Sequence, residues 1–242
     1  KDLDYRGYDS AGVAFSLSNQ TDIHKVVGSV EKLDEETPKE IIAKIGIGHT
    51  RWATHGRPNQ KNSHPHQSMN GLFTIVHNGV IENFQELKAN LVSNGYTFKS
   101  DTDTEVIANL IESLFIKCHN LPLAMRETMR MLDGSFAISM IYAEDEEHLY
   151  LMKRSSPLMV GKGEDFYLVA SDATPMIKYT REILDLEDDQ YAILSESECQ
   201  LFDIGGEPVE AKYSTKDPDL LTKDLNGYPH YMLKEIEESE QV

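Results

Sequence analysis

The sequence predicts an α+β fold in which two antiparallel sheets pack against each other between layers of helices. Short apolar strands come first along the chain, two or three amphipathic helices follow, and a second group of short strands comes last. This order favours two sheets with helices packed on the outside. The 242 residues contain no internal repeat, low-complexity tract or linker, so residues 1–242 are interpreted as one domain.

The first elements are predicted as two strands, a helix and a third strand. Strands are expected at 11–18 and near 22–28, because two apolar runs flank a polar turn. Residues 30–44 are expected to form a helix, since acids come early and lysines later, which suits the helix dipole. A strand follows from Gly46, and the polar, proline-containing segment 57–68 after it is interpreted as a loop.

Three helices are predicted in the middle of the chain, after a buried strand at 72–77. The second helix is expected to start at a capping box formed by Thr102 and Glu105, and the third spans roughly 121–132. Gly95 is a plausible C-cap of the first helix. The apolar residues of that first helix fall on one face: Ile81, Phe84, Leu87 and Leu91.

The last third of the chain is predicted as short strands separated by acidic or glycine turns. A short acidic helix is expected from about residue 228, after which the chain leads towards a segment that it does not contain. The strands are expected at 135–142, 149–153, 158–161, 166–171, 191–194 and 199–204.

Composition excludes several classes of partner. With 41 acids against 23 bases the formal charge is −18, which argues against nucleic acid and anionic membranes as partners. No apolar run approaches the ~18 residues of a membrane span, and no secretory leader is expected. Two cysteines, Cys118 and Cys199, do not form a disulfide framework, so the cytoplasm is the expected compartment. Neither lies in a pattern typical of an activated nucleophile.

The segment 46–56 (GIGHTRWATHG) is the strongest candidate for a binding site. It begins like the end of a buried strand and then turns polar within four residues. A rigid strand that leads into a loop closed by glycine is a common way to present binding groups. The groups presented here include an arginine, the single tryptophan, a threonine and a histidine: Arg51, Trp52, Thr54 and His55.

Three further patterns have both a functional and a structural interpretation. Asn78-Gly79 is more typical of a tight turn, although an Asn side-chain N–H beside a Gly backbone N–H can form an oxyanion hole. Capping of the second helix leaves Asp103 free to face a cation. His64 and His66 are the type of pair that holds a metal in a metal-dependent hydrolase, but they lie in a loop without a third ligand, so no metal site is expected.

Five motifs occur in one order along the chain, from residue 5 to about residue 238. Together they resemble the glutaminase domain (glutamine amidotransferase type 2) of glucosamine-6-phosphate synthases, the isomerising glutamine–fructose-6-phosphate aminotransferases. The motifs are YRGYDSAG at 5–12, GHTRWATHG at 48–56, HNGVIEN at 77–83, TDTE at 102–105 and HYMLKEI at 230–236.

The resemblance implies an αββα sandwich of the N-terminal-nucleophile hydrolase kind that hydrolyses the side-chain amide of glutamine. The ammonia would be used by a separate sugar-isomerase domain, absent here, to convert fructose 6-phosphate to glucosamine 6-phosphate; residues 228–242 would lead towards that domain. The expected partners are glutamine, this isomerase domain and a second copy in a homodimer formed through the full-length enzyme. No cofactor and no metal are expected.

The resemblance also assigns roles to individual residues. Arg51, with Thr54 and His55 beside it, would clamp the α-carboxylate of glutamine, which needs a forked cation. Asp103 would bind the α-ammonium. Asn78 and Gly79 would form the oxyanion hole.

Two further residues and a loop receive roles from the resemblance. Trp52 would lie between the glutamine pocket and the ammonia passage, and Arg6 would help to position the nucleophile. The loop from about Arg51 to Asn59 would close over glutamine as a lid.

The family's nucleophile is an N-terminal cysteine that lies one strand and one helix before the RGYD segment. This chain starts at Lys1, just before that segment. The first strand, the first helix and the cysteine are therefore expected to be missing, and the chain as given is expected to bind glutamine weakly without hydrolysing it. The alternative is a non-catalytic amino-acid-binding regulatory module.

Overall fold

The computed structural model describes residues 9–51 and 59–216, which form a mixed α and β structure. The first half contains β1 (Ser10–Leu17), β2 (Gln20–Val27), α1 (Val30–Glu36), β3 (Gly46–Arg51), β4 (His66–Gln67), β5 (Phe73–Ile81), α2 (Phe84–Ser93), α3 (Asp103–Cys118) and α4 (Leu121–Met131). The second half contains β6 (Gly134–Tyr142), β7 (Leu149–Arg154), β8 (Met159–Lys162), β9 (Tyr167–Ala170), β10 (Glu182–Asp185), β11 (Gln190–Leu194), β12 (Cys199–Asp203), β13 (Pro208–Val209) and β14 (Ser214–Thr215).

The described strands form three antiparallel sheets. The largest has seven strands in the order β13-β12-β11-β7-β6-β5-β4. A three-stranded sheet has the order β2-β1-β3, and a four-stranded sheet has the order β14-β10-β8-β9. The prediction of antiparallel sheets is confirmed, but the expected second sheet is divided into these two smaller ones.

The seven-stranded sheet has two apolar faces, because side chains alternate along each strand. On β6, Ile138 and Met140 point into a core that they share with α2, α3 and α4. The residues that alternate with them along β6 point the other way. There, Ala137 packs with the four-stranded sheet, and Ile141 packs with Ala14 of the three-stranded sheet. The large sheet is therefore covered by helices on one face and by both smaller sheets on the other.

Helix α1 covers the outer side of the three-stranded sheet. On β1, Ala14 faces the large sheet, whereas Ala11 packs with Leu33 of α1. The layers thus follow the order helix, sheet, sheet, helix, which confirms the predicted αββα sandwich. No helix in the described part of the chain is both long enough and apolar enough to cross a bilayer.

The N-terminus of α3 is fixed by Thr102, as predicted, but the capping box is only half formed. The Thr102 hydroxyl accepts a hydrogen bond from the Glu105 N–H at 3.4 Å. The Glu105 carboxylate does not reach back to Thr102; it accepts hydrogen bonds from the Lys99 and Ser100 N–H groups at 2.7 and 2.6 Å. Glu105 therefore holds the loop that leads into α3 and so helps to set where the helix begins.

Three expectations about the elements were wrong in part. The helix predicted at 30–44 ends at Glu36, because Thr37 precedes Pro38 and a residue before proline disfavours the helical conformation. Ile81 belongs to the end of β5 and not to the next helix. Short strands β4, β10, β13 and β14 were not expected. The predicted helix from residue 228 lies outside the described residues.

Candidate functional site

A cavity of about 670 Å³ opens between the three sheets and the N-terminus of α3. Its size is typical of pockets that hold small ligands. One side is apolar and includes residues of β9. The other side is polar and consists of the ends of β3, β5 and α3, whose lining residues include His49, Arg51, Asn78, Gly79 and Asp103. Four of the residues singled out in the sequence therefore line one cavity: Arg51, Asn78, Gly79 and Asp103.

Arg51 is the last residue of β3 and is buried in the cavity wall, with 4% of its surface exposed. The backbone places it there, because β3 pairs with β1 along its whole length and aligns Arg51 with Ser10. Burial lowers the pKa of Arg51, and the carboxylates of Asp9 and Asp103 oppose that change. Arginine keeps its charge even so, and the cavity wall therefore carries a fixed cation.

Asp103 supplies the opposite charge as the first residue of α3. Its side chain is buried, and Oδ2 accepts a hydrogen bond from the Ile81 N–H at 3.0 Å. The helix N-terminus also stabilises a negative charge at this position. The sequence-based expectation that capping by Thr102 leaves Asp103 available is consistent with this geometry.

Asn78 and Gly79 lie inside β5 and not in a turn, so the turn interpretation is wrong. Gly79 has a φ of +127°, and a Cβ at this position would lie 2.1 Å from the Ser135 carbonyl oxygen on β6. Only glycine fits at this position. The backbone of β5 therefore departs from regular strand geometry at Gly79, although its pairing with β6 continues to Ile81. Asn78 is exposed to the cavity, and its Oδ1 lies 2.8 Å from His49 Nε2.

Four histidines form part of this polar wall and of the core beneath it: His64, His66 and His77 are buried, and His49 is half-buried. The His49 and His64 rings stack with centroids 4.2 Å apart. The Thr104 hydroxyl lies between His64 Nε2 at 3.4 Å and His77 Nδ1 at 3.1 Å. Burial is the largest cause of a lowered pKa in each ring: His49 falls to about 4, and His64, His66 and His77 also fall. All four are therefore neutral near pH 7.

The histidines are not arranged as a metal site. His66 Nε2 lies 3.2 Å from the Thr102 hydroxyl, and its ring is edge-on to that of His64. Within residues 9–51 and 59–216, no group of three His, Cys, Asp or Glu side chains converges on a point where a metal would sit. The segment around His64 and His66 was expected to be a polar loop, but both histidines are buried and contribute to the core beneath the cavity.

Several sequence-based assignments cannot be placed. Trp52, Thr54, His55 and Arg6 lie outside the described residues, as does most of the expected lid. Of the two cysteines, neither is among the residues that line the described cavity. Burial raises the pKa of the Cys199 thiol, which is the opposite of what activates a nucleophile. His49, which contacts Asn78, was not identified from the sequence, since the two residues are far apart along the chain.

The sequence profile of the glutamine amidotransferase domain matches residues 49–178. The chain belongs to this family. The matched range contains Arg51, Asn78, Gly79 and Asp103, all four of the cavity residues singled out above. The resemblance seen in the sequence motifs is thereby confirmed at the level of the family.

The relatives of the chain are enzymes with longer sequences. It is 46% identical over 236 residues to the glutamine–fructose-6-phosphate aminotransferase (isomerising) of Oceanobacillus iheyensis, covering 98% of this chain and 39% of the relative. It is 44% identical over 240 residues to the enzyme of the same name from Thermococcus kodakarensis, covering 98% of this chain and 40% of the relative. The chain therefore spans about two fifths of the length of these relatives.

A solved structure supports the fold assignment. The glutamine phosphoribosylpyrophosphate amidotransferase of B. subtilis superposes with a TM-score of 0.71 at 25% identity, covering 84% of this chain and 44% of that one. A glutamine aminotransferase class-II domain protein from Silicibacter pomeroyi shares the fold, with a TM-score of 0.55 at 16% identity. The fold is that of the N-terminal-nucleophile amidotransferases.

Proposed function

We propose that the described cavity binds free glutamine and that the chain is the glutaminase part of an isomerising glutamine–fructose-6-phosphate aminotransferase. The observation that supports this most directly is the placement of Arg51 and Asp103 in one cavity with Asn78 and Gly79. A zwitterionic amino acid needs one cation and one anion at a fixed separation. The amide at the end of its side chain needs hydrogen-bond donors where the tetrahedral oxyanion develops.

The two charges would recognise the backbone end of glutamine. The Arg51 guanidinium would bind the α-carboxylate through two parallel N–H groups. The Asp103 carboxylate would bind the α-ammonium through Oδ1, while Oδ2 stays bound to the Ile81 N–H. Both groups are buried, so their interaction with the ligand is screened less than at a surface.

The opposite end of the ligand would lie against β5. There, the Asn78 side-chain N–H and the Gly79 backbone N–H would stabilise the oxyanion that forms when a nucleophile attacks the glutamine amide carbon. The nucleophile in this proposal is the N-terminal cysteine that the resemblance implies, with its own α-amino group as the base. Trp52, Thr54, His55 and Arg6 keep the roles that the resemblance assigns to them.

The use of the ammonia is proposed from the relatives. Those relatives are named for amino transfer from glutamine to fructose 6-phosphate with isomerisation. We therefore assign residues 1–242 to a single glutaminase domain whose ammonia passes to a sugar-isomerase domain, towards which residues 228–242 lead. The product of that second domain would be glucosamine 6-phosphate, and assembly into a homodimer would involve the full-length enzyme.

Binding of glutamate to the purified chain tests the pocket without requiring a nucleophile. Asp103→Asn and Arg51→Ala should each weaken glutamate binding in isothermal titration calorimetry by about 2–5 kcal/mol, roughly 30-fold or more in Kd, because each leaves a buried ligand charge unpaired. Arg51→Lys keeps the charge but loses the planar fork, so an intermediate affinity is expected.

Two exposed residues provide matched controls. Asp101→Asn changes a carboxylate two residues before Asp103 that instead pairs with Lys61 at 2.8 Å. Arg130→Ala removes an arginine that pairs with Glu127 on the surface of α4. Both controls should bind glutamate as the parent does. If Asp103→Asn and Arg51→Ala also bind unchanged while remaining folded, these two residues do not form the glutamine site.

A further inference from the structure

The Asn78 carboxamide is held by a residue from a different sheet. Asn78 lies on β5 of the seven-stranded sheet, and its Oδ1 is 2.8 Å from Nε2 of His49, which lies on β3 of the three-stranded sheet. Because Asn78 is otherwise exposed to the cavity, this contact decides how the amide is turned.

The direction of the amide matters, because its two ends have opposite chemistry. The NH₂ group donates hydrogen bonds and the oxygen only accepts them. If Asn78 is to stabilise an oxyanion, its NH₂ must face the cavity and its oxygen must face His49. The reverse orientation would place an acceptor against the developing negative charge and would oppose the reaction.

Which nitrogen of the His49 ring carries the hydrogen decides between these two orientations of the Asn78 amide. The ring is neutral near pH 7, because burial lowers its pKa to about 4. A neutral imidazole has one N–H donor and one acceptor nitrogen. In the part of the chain that the structure describes, the buried Nδ1 has no partner in hydrogen-bonding geometry, although the His77 backbone also raises the pKa of the ring. A buried unpaired N–H is costly, so the hydrogen is better placed on Nε2, where Asn78 Oδ1 can accept it.

The plane of the His49 ring is fixed from behind by His64. The two rings are stacked with an interplanar angle of 17°. His64 is itself held at both nitrogens: its Nδ1 accepts a hydrogen bond from the His77 backbone N–H at 3.4 Å, and its Nε2 faces the Thr104 hydroxyl. A backbone N–H can only donate, so the hydrogen of neutral His64 must be on Nε2. The stack therefore presents His49 to Asn78 in one orientation.

We propose that His49 is a positioning residue whose Nε2–H donates to Asn78 Oδ1 and thereby turns the Asn78 NH₂ towards the oxyanion. This proposal rests on the proposed glutaminase function. It assigns His49 no contact with the substrate, so its effect should fall on the chemical step and not on glutamine binding.

The kinetic test compares His49→Leu with His49→Gln in the catalytically competent enzyme that carries the N-terminal cysteine. His49→Leu should lower the kcat of glutamine hydrolysis by about 10-fold or more, with KM within about 2-fold; outright loss of an oxyanion donor costs roughly 100- to 1,000-fold. His49→Gln offers a side-chain N–H and should restore part of the kcat. His24→Leu, on β2 and outside the cavity lining, is the matched control and should leave both constants unchanged.

A double-variant cycle with Asn78→Ala separates positioning from a general loss of structure. If His49 acts through Asn78, His49→Leu should have little further effect on kcat in the Asn78→Ala background. An equal loss of kcat in both backgrounds, or an increase in KM instead, would overturn the proposal.

If Asn78→Ala lowers kcat but His49→Leu does not, the proposed function stands and the positioning role of His49 fails. If the parent enzyme does not hydrolyse glutamine, the proposed function fails and this role with it.

The tautomer of His49 can be measured without any variant. Long-range ¹H–¹⁵N correlation NMR of the 242-residue protein at pH 7 should show the His49 proton on Nε2 and an unprotonated Nδ1. A proton on Nδ1 would mean that the Asn78 amide is turned the other way, which would overturn the proposal irrespective of the kinetics.

Discussion

At the residue scale, the candidate site depends on buried polar groups whose partners come from other elements. Asp103 on α3 accepts a hydrogen bond from the last residue of β5, and Asn78 on β5 contacts His49 on β3. In each case the side chain is held by a residue from a different secondary-structure element. A small shift between the sheets would therefore misalign several functional groups together, which makes the residues that fix the sheet spacing as important as those that touch the ligand.

Gly79 fixes how closely β5 approaches β6 within the large sheet, next to Asn78 in the cavity wall. Gly79→Ala should destabilise the protein by at least ~2 kcal/mol, because it combines a φ of +127° with a Cβ placed 2.1 Å from the Ser135 carbonyl oxygen. Gly95→Ala is a matched control: its φ is +90°, but a Cβ there would meet open space. Strain alone should cost it only about 1 kcal/mol. Urea unfolding of both variants checks the difference, and equal losses would show that the contact with β6 is unimportant.

The sequence identifies the residues to which the family resemblance assigns a role and misses a residue whose role depends on a tertiary contact. The resemblance assigns roles in glutamine binding to Arg51, Asp103, Asn78 and Gly79, and all four line the cavity. His49 was missed, since a histidine near the end of a strand has no distinguishing local pattern. Its significance comes from a contact with Asn78, and only the pairing of strands in three dimensions creates that contact.

At the element scale, periodicity predicted the long elements and failed on the short ones. Helices α3 and α4 have apolar stripes that identify them without tertiary information. Strands β13 and β14 have two residues each, too few to show alternation. The Asn78-Gly79 dipeptide is locally more typical of a turn. Pairing with β6 instead carries the strand on to Ile81.

The N-terminus of α3 is the element boundary on which the Asp103 side of the site depends. Thr102→Ala should lower the free energy of unfolding by about 1–2 kcal/mol, because it removes the N-cap and the contact with His66. It should also weaken glutamate binding, since Asp103 is the next residue. Thr102→Ser keeps the hydroxyl and should retain most of the stability and the binding. Urea unfolding and calorimetry test both effects, and loss of binding in Thr102→Ser would assign the defect to the missing methyl group.

At the scale of the whole molecule, the cavity exists because two small sheets lie side by side over one large sheet. Residues of β3 at the edge of one small sheet and of β9 at the edge of the other line the same cavity. The helices on the far side of the large sheet supply Asp103, and Thr104 of α3 contacts His64 and His77. The polar wall of the site is thus continuous with the core, and its protonation state contributes to the stability of the fold.

The four histidines of the cavity wall and the core beneath it determine whether stability rises or falls with pH. Burial is the main cause of the lowered pKa of His49, His64, His66 and His77. Nearby cations add to it, with Lys25 and Arg51 lowering the pKa of His66, whereas Asp103 opposes it for His77. Above pH 6.5 the rings are neutral in the folded and unfolded chains alike. Below it, the unfolded chain binds protons that the folded chain does not, so stability falls as the pH falls.

The free energy of unfolding should therefore decrease between pH 7 and pH 5. Each histidine that is protonated only when unfolded adds a slope approaching ~1.4 kcal/mol per pH unit below about pH 6.5, so even one of the four should remove about 2 kcal/mol over this range. The pKa of Asp145 and that of Asp188 are also lowered, but from 3.8, so these carboxyls act at lower pH. Urea unfolding at pH 5, 6 and 7 measures the slope. His49→Gln should make it shallower, whereas His119→Asn, at an exposed position, should not. A flat profile in the parent chain would mean that the rings accept protons without unfolding.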